Sequence, residues 1–502
     1  MIKLTNTEHW LVEQARLTPD LTAILTSNQK INYRSFLEKS LAAAKYLSSV
    51  GIKDGDNVCI LSDHSYQFWI LVNALWFLGA VPVPLNSRNT IEEISWQLKK
   101  IDAKFLITMN KETWKYESVQ NISLDDFNFL ESNFKPNSFG HSMFYTSAST
   151  RVERDELHSS LILFTSGSTG KPKAVVHTFR SLYESVKAMD SSFSLSSNDL
   201  WLASLPLYHI GGFMILIRSL ITSCAAAFPN NLKHESIIEA AYHFNPTHVS
   251  FVSTTIKKFL DDDTEPNTNL KYVFLGGGPL SPEICSQAVD AGFPIVKVYG
   301  STETCSMVAA LKSTDIYVKP DSVGFALSRE IKIIIKDEVE SKGQSKYSSG
   351  GSLLISSPTM FKEYYNDELS TNSKIVNGFY HTGDYGWFDN EGYLYIESRR
   401  EDIIITGGEN VNAKEVEEAL LSLHEVVDNF VFGIKDEKWG QIVCAAIVCE
   451  NLSEREIKSR LKEKLAGFKI PKKFFFVSEI PRNEMGKVNR NKLMNGLNFD
   501  EV

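Results

Sequence analysis

The segment LILFTSGSTGKPKAVVHT places Thr165, Ser166, Gly167, Ser168, Thr169, Gly170 and Lys171, with Lys173 just beyond, directly after an apolar run from Leu161 to Phe164. Glycines let a backbone approach a polyphosphate closely, hydroxyls and N–H groups donate to its oxygens, and lysines supply countercharge. This is a candidate triphosphate loop. It is not the Walker loop G-x-x-x-x-G-K-[ST], because Thr165 stands where the first glycine belongs and Pro172 where the Ser/Thr belongs. A dinucleotide fingerprint fails as well: Gly276-Gly277-Gly278 is followed by Pro279, with Ser281 where the third glycine should fall. The competing reading, a flexible Ser/Gly surface loop, fits poorly, since such linkers rarely join an apolar strand to a basic segment.

Such a loop needs a rigid frame. Up to about residue 400, helical stretches alternate with short apolar runs: NVCIL, AVPVPL, KFLITM, SLILF, THVSFV, KYVFLGG and FPIVKVYG. Fully apolar strands between helices predict an α/β fold with doubly wound, mostly parallel sheets covered on both faces. After Gly324 the texture changes; EIKIII, GGSLLIS and GYLYIE read as strands joined by turns, predicting a β-rich subdomain over about 324–399. A polar junction, SRRED, puts a boundary at about Arg400 and divides the chain into 1–399 and 400–502. In the second part KEVEEALLSL and SEREIKSRLKEKL read as helices, VVDNFVFGI and QIVCAAIVCE as strands, a small α+β domain. FWILVNALWFLGAVPVPL, at Phe68 to Leu85, is the one stretch of membrane length, but Asn73, Gly79, Pro82 and Pro84 make it a buried helix, a turn and a strand.

Composition excludes other classes. The 502 residues exceed one ordinary core, and 43% hydrophobic with 23% charged residues argue against disorder. A net charge of −9 opposes tracking of a nucleic-acid backbone. Six cysteines without CxxC spacing (Cys59, Cys224, Cys285, Cys305, Cys444 and Cys449) suggest neither a disulfide framework nor a zinc site, and fit a reducing, cytoplasmic setting. The N-terminus lacks the apolar run of a secretory signal, so the mature chain is expected to start at or near Met1. The residues leave a homo-oligomer open.

TSGSTGKPK resembles the signature loop of the adenylate-forming superfamily of acyl- and aryl-CoA ligases, luciferases and adenylation domains. Six further stretches match that family's motifs in order: LPLYHIGG, LGGGPLS, VYGSTET, YHTGDYGWFD, SRREDIIITGGENV and PRNEMGKVNR. The resemblance implies ATP, Mg²⁺ and CoA as cofactors and a small-molecule carboxylate as substrate. It implies that Thr165, Ser166, Thr169 and Lys173, with Gly167, Ser168 and Gly170, hold the phosphates, and that Glu303 of VYGSTET holds the Mg²⁺, flanked by Gly300 and Thr302. Adenine would lie between Gly276-Gly277-Gly278 and Tyr299, and Asp384 would accept from the ribose hydroxyls with Arg399 assisting.

Lys487, of the final motif, would bridge the incoming carboxylate and the α-phosphate and screen their repulsion. The family then rotates its small C-terminal domain, with Glu401 as hinge, to withdraw that lysine and bring the Gly407-Gly408 loop to the thiol tunnel. His209 would gate the junction of acyl pocket and tunnel, and Gly211 and Gly212 would keep that space open. Two positions depart from the pattern: Ser398 stands where Gly or Asp is usual, and Ala413 replaces a frequent proline. Adenylation serving a carrier protein, a silent binding member and a luciferase-like oxygenase are the competing classes.

Among the ligases, the short length, GGG, and LPLYHIGGFMILIRSL followed by THVSFV look most like the branch that activates o-succinylbenzoate in menaquinone biosynthesis. Arg218 is the lone charge in the apolar helix FMILIRSLI, so it is expected to reach solvent or meet an anion. The resemblance places Arg218 and Ser250 at the end of the pocket that would take that substrate's second carboxylate.

Overall fold

The structure is a computed structural model that describes residues 9–62, 64–108, 119–123, 155–165, 172–277, 280, 282–336, 350–397, 403–450, 452–481, 488 and 490–497. The chain forms two compact units. The first gathers residues 1–87, 98–164 and 174–398, the second 88–97, 165–173 and 399–502.

Among the described residues the first unit is built on a mixed sheet of fourteen strands. Its centre is a parallel array in the order Ile295–Ser301, Tyr272–Leu275, His248–Phe251, Leu200–Leu202, Ala225–Ala227, Thr22–Leu25. These strands carry Val, Ile, Leu, Phe and Trp on both faces because helices cover both sides. The helix Ile210–Thr222 is almost wholly buried, and its Phe213, Met214, Ile215, Leu216 and Ile217 sit in the largest core cluster. The strands of the tract expected as β-rich over about 324–399, with Ser306–Lys312 and Ser322–Ala326 leading into it, prolong this sheet antiparallel. Ser306–Lys312 pairs with Ile295–Ser301, Ser322–Ala326 follows, and Leu394–Glu397, Phe379–Phe388, Gly351–Ser356 and Lys332–Lys336 complete the edge.

A second, parallel sheet of four strands holds Asn57–Leu61 between Val81–Pro84 and Phe105–Thr108. The apolar stretch of membrane length folds as anticipated. Tyr66–Phe77 is a helix buried from Phe68 onwards, Gly79 turns at φ +73°, and Val81–Pro84 is a strand. Among the described residues no helix is long and apolar enough to cross a membrane. A third sheet joins Ser159–Thr165, Lys173–Thr178 and Glu363–Tyr364, and its first two strands flank the phosphate loop in the chain.

In the second unit five strands pack against the helices Ala413–Leu421 and Glu454–Leu461, around Val416, Leu420, Val431, Val443, Ile447 and Ile457. The helix of SEREIKSRL is closed by a capping box in which Ser453 and Glu456 satisfy each other's backbone N–H. Asn412 caps Ala413–Leu421, its Oδ1 accepting from the Lys414 and Glu415 N–H groups. That cap starts the helix without the proline frequent at its first position.

Candidate active site

In the first unit the motif residues collect at the carboxyl ends of the parallel strands, where open α/β sheets bind ligands. Ser204 lies beyond Leu200–Leu202, Ser250 near the end of His248–Phe251, Gly276-Gly277 beyond Tyr272–Leu275, and Tyr299 near the end of Ile295–Ser301. The order of strands changes direction here. From Leu200–Leu202 the chain moves one place outward to Ala225–Ala227, then steps back across it to His248–Phe251 and continues outward on the other side. The crevice at such a reversal falls between Leu200–Leu202 and His248–Phe251, and the Ser204 hydroxyl spans it to donate to the Ser250 carbonyl at 2.6 Å.

Gly276 has a packing reason to be glycine: a Cβ there would lie 2.7 Å from Cγ2 of Val298 on the neighbouring strand. Gly277 adopts φ +87°, open to glycine at little cost. The hydroxyl of Tyr299 donates to Oδ2 of Asp384 at 2.5 Å. Residues assigned to adenine and ribose by resemblance, 85 positions apart, are thus in contact. Asp384 is buried, and its N–H donates to Thr382 Oγ1 at 2.9 Å. HTGD, which alone would suggest a turn, lies within the strand Phe379–Phe388, where Gly383 supplies a positive φ of 82°.

VYGSTET forms the end of the Ile295–Ser301/Ser306–Lys312 hairpin, with a bulge at Tyr299/Gly300. A Cβ on Gly300 would lie 1.9 Å from the Ser306 carbonyl oxygen, so the two strands approach as only glycine allows. Cys305 and Ser306 both have left-handed φ, 56° and 79°, costing about 1–3 kcal/mol each. Surrounding bonds hold this shape. The Ser185 hydroxyl donates to the Cys305 carbonyl at 2.7 Å, Thr304 Oγ1 lies 2.9 Å from the Ser306 carbonyl, and Nη2 of Arg218 donates to Ser306 Oγ at 3.2 Å. His177 Nε2 lies 2.8 Å from the Thr302 carbonyl. Burial pushes this imidazole down to about 4, so it is neutral at pH 7, and its Nε2–H donates to that carbonyl while Nδ1 faces Ser181 Oγ at 3.2 Å.

The hairpin presents Glu303 half-buried, its Oε1 accepting from the Tyr364 hydroxyl at 2.9 Å. Among the described residues no group of three or more His, Cys, Asp or Glu forms a metal cage. A single carboxylate suits Mg²⁺, a hard cation that commonly takes one or two protein oxygens beside phosphate oxygens and water.

Arg218 did not reach solvent. It is 1% exposed on the Ile210–Thr222 helix, with its guanidinium over the Trp201 ring, 5.5 Å from the centroid. No carboxylate pairs with it among the described residues, its Nε lacks a partner, and burial draws its pKa down to about 10. Trp201 joins the two residues expected at the acyl end, since its Nε1–H donates to Ser250 Oγ at 3.2 Å. His209 is half-buried at the N-cap of the same helix, with its ring 4.7 Å from that of Tyr208. Gly211 is half-buried, and a Cβ there would meet Leu205 Cδ1 at 3.3 Å. Gly212 does not open a space as expected. A Cβ there would lie 2.2 Å from the Pro206 carbonyl oxygen, so this glycine lets the helix close on the LPLYH loop.

In the second unit Gly407 (φ +58°) and Gly408 (φ +83°) turn the hairpin between Ile403–Thr406 and Glu409–Asn412. A Cβ on Gly407 would lie 2.8 Å from Cε3 of Trp439, so the indole lies against this turn. Thr165 and Lys173 end and begin the strands flanking the phosphate loop. Ser166, Gly167, Ser168, Thr169, Gly170, Gly278, Arg399, Glu401 and Lys487 lie outside the described residues. Trp201 and Tyr364 escaped sequence reasoning; an apolar strand hides the first, and the second sits in EYYNDE, which carries no chemical pattern of its own.

The AMP-binding enzyme family matches residues 11–365, and the AMP-binding enzyme C-terminal domain matches residues 415–487. The 2-succinylbenzoate–CoA ligase of Bacillus thuringiensis subsp. konkukian is 33% identical over 489 residues, covering 97% of each chain. Among solved structures, a double mutant of o-succinylbenzoate CoA synthetase from Bacillus subtilis, bound with its product analogue OSB-NCoA, is similar with a TM-score of 0.88 and 30% identity, over 98% of this chain and 99% of that one. The same synthetase in complex with the acyl-adenylate intermediate OSB-AMP gives 0.72 and 30% over 98% of each chain. Its complex with ATP and magnesium ion gives 0.71 and 30%, over 97% and 99%. With both family matches in order and relatives aligned along nearly its whole length, the chain belongs to the AMP-binding enzyme family.

Proposed function

We propose that the chain is an ATP-dependent, AMP-forming acid–thiol ligase that joins o-succinylbenzoate to CoA, giving o-succinylbenzoyl-CoA, AMP and pyrophosphate. The carrying observation is the alignment, along nearly the whole chain, with a 2-succinylbenzoate–CoA ligase and with an o-succinylbenzoate CoA synthetase solved in complex with its acyl-adenylate intermediate. The contact of Tyr299 with Asp384 supports a nucleoside site, and the half-buried Glu303 on its braced hairpin supports a place for Mg²⁺ beside it. When bound, Mg²⁺ would neutralise phosphate charge. Thr165, Ser166, Thr169 and Lys173 would hold the phosphates, and Lys487 would bring the carboxylate to the α-phosphate. No protein nucleophile is needed, because positioning and charge neutralisation supply most of the help.

The second half-reaction follows when the residues after Glu401 turn and Gly407-Gly408 meets the pantetheine arm, with His209 guarding the acyl carbon. Arg218 would take the ring carboxylate. Its buried guanidinium, with an Nε unpartnered among the described residues and the Trp201–Ser250 pair beside it, supports that role. A cytoplasmic setting fits the six free cysteines, five of them buried. The test is incubation of purified protein with ATP, Mg²⁺, CoA and a panel of carboxylates, with product masses read out. A dominant o-succinylbenzoyl-CoA peak supports the assignment; preference for a monocarboxylate refutes it.

A further inference from the structure

The hydroxyl of Tyr364 reaches Oε1 of Glu303, and nothing in the chemistry above uses it. Tyr364 is buried, and its strand pairs antiparallel with Lys173–Thr178, placing it opposite Val175. Its ring packs with Val175, Phe361 and Tyr380, the Phe361 centroid lying 4.8 Å away. Three positions earlier, the Phe361 N–H donates to the Glu303 carbonyl at 2.8 Å. One short segment therefore grips Glu303 twice, by its main chain and by its carboxylate, and that segment is registered on the strand leaving the phosphate loop.

A glutamate has three side-chain torsions, and a carboxylate that must receive a cation gains from being held in one rotamer beforehand. A phenol suits this task, because it donates one hydrogen bond and adds no charge to compete with a divalent ion. We propose that Tyr364 is a positioning residue for the Mg²⁺–nucleotide complex: its hydroxyl commits Oε1 of Glu303 to a hydrogen bond and presents the other carboxylate oxygen to the cation. This rests on the reading of Glu303 as the residue that holds Mg²⁺.

The probe is Mn²⁺, titrated into the full chain with ATP and followed by the electron paramagnetic resonance of the free ion. Tyr364→Phe keeps the ring and removes the donor, and it should weaken Mn²⁺ binding by roughly 10–100-fold. In ATP–pyrophosphate exchange its apparent KM for Mg²⁺ should rise while kcat at saturating Mg²⁺ changes little. In a Glu303→Gln background, Tyr364→Phe should have no further effect on Mn²⁺. Equal weakening in both backgrounds would mean that Tyr364 acts through the fold, and would overturn the proposal. Unchanged Mn²⁺ affinity in Glu303→Gln itself defeats the assignment of Glu303. Weakening in Glu303→Gln but not in Tyr364→Phe leaves that assignment standing and removes Tyr364 from it. Should Tyr364→Phe not fold, Glu303→Asp withdraws the carboxylate from the phenol by one methylene while keeping its charge, and unchanged Mn²⁺ affinity there overturns the proposal.

Discussion

Replacing Arg218 tests the acyl end of the site most sharply. The guanidinium is 1% exposed, donates a hydrogen bond to Ser306, faces the Trp201 ring and, among the described residues, leaves Nε unpartnered. A buried cation satisfied only in part carries a desolvation cost of several kcal/mol, which an incoming carboxylate would offset. Arg218→Ala should therefore reduce kcat/KM for o-succinylbenzoate by about 2–5 kcal/mol of transition-state binding, roughly thirtyfold to several-thousandfold. Alanine also empties a volume beside the strained Cys305–Ser306 turn, so Arg218→Met, which keeps the stem, separates lost charge from lost packing. The assay is initial-rate thioester formation with o-succinylbenzoate and with the analogue lacking its ring carboxylate, alongside the KM for ATP. Wild type should prefer the dicarboxylate, both variants should lose that preference, and the KM for ATP should hold. If wild type uses both acids equally, or Arg218→Met loses equal ground on both, Arg218 is a structural clamp of Ser306 and the substrate assignment loses its chemical basis.

Lys487→Ala should abolish acyl-adenylate formation yet spare thioester formation from synthetic acyl-AMP, while Glu401→Pro should slow only the second step; equal loss of both half-reactions in the lysine variant, by single-turnover assay, would refute the division of labour. Gly300→Ala must part the hairpin, since its Cβ would lie 1.9 Å from the Ser306 oxygen, and it should cost several kcal/mol in thermal stability together with most nucleotide binding. Burial draws His64 down to about 4, so the unfolded chain, with an ordinary imidazole near 6.5, binds a proton first as pH falls, and stability is lost between those values. His64→Phe should remove up to roughly 3 kcal/mol of that acid destabilisation; a thermal midpoint that falls equally steeply in wild type and variant would contradict it.

Much of the frame was readable because burial on both faces forces continuous apolar strands, and NVCIL, THVSFV and KYVFLGG fold as such. The helix, turn and strand from Tyr66 to Pro84 followed from Gly79 and two prolines, which no membrane span would favour. The β-rich tract was visible but its attachment was not, because strand texture does not say which edge a strand joins. Within the site, the family resemblance pointed to Tyr299 and Asp384 separately; only the sheet reveals that they touch. Gly212 misled because a glycine that admits a ligand and one that admits a backbone carbonyl look alike in one dimension. Tyr364 stands 61 residues from Glu303, and a contact over that distance leaves no local pattern to find.

The indole of Trp439 against the Gly407 turn has a magnetic use. It is the only tryptophan after residue 400, and the Nζ of Lys472 lies 3.8 Å from its ring centroid. The other seven tryptophans would swamp its emission, but biosynthetic 5-fluorotryptophan yields a separate ¹⁹F resonance for each ring. The Trp439 line would report the environment of the Gly407 turn, without a label attached to a cysteine or a mutation in the loop itself. A shift of that single resonance on titrating CoA would support the proposed meeting of this turn with the thiol, and an unmoved line would count against it.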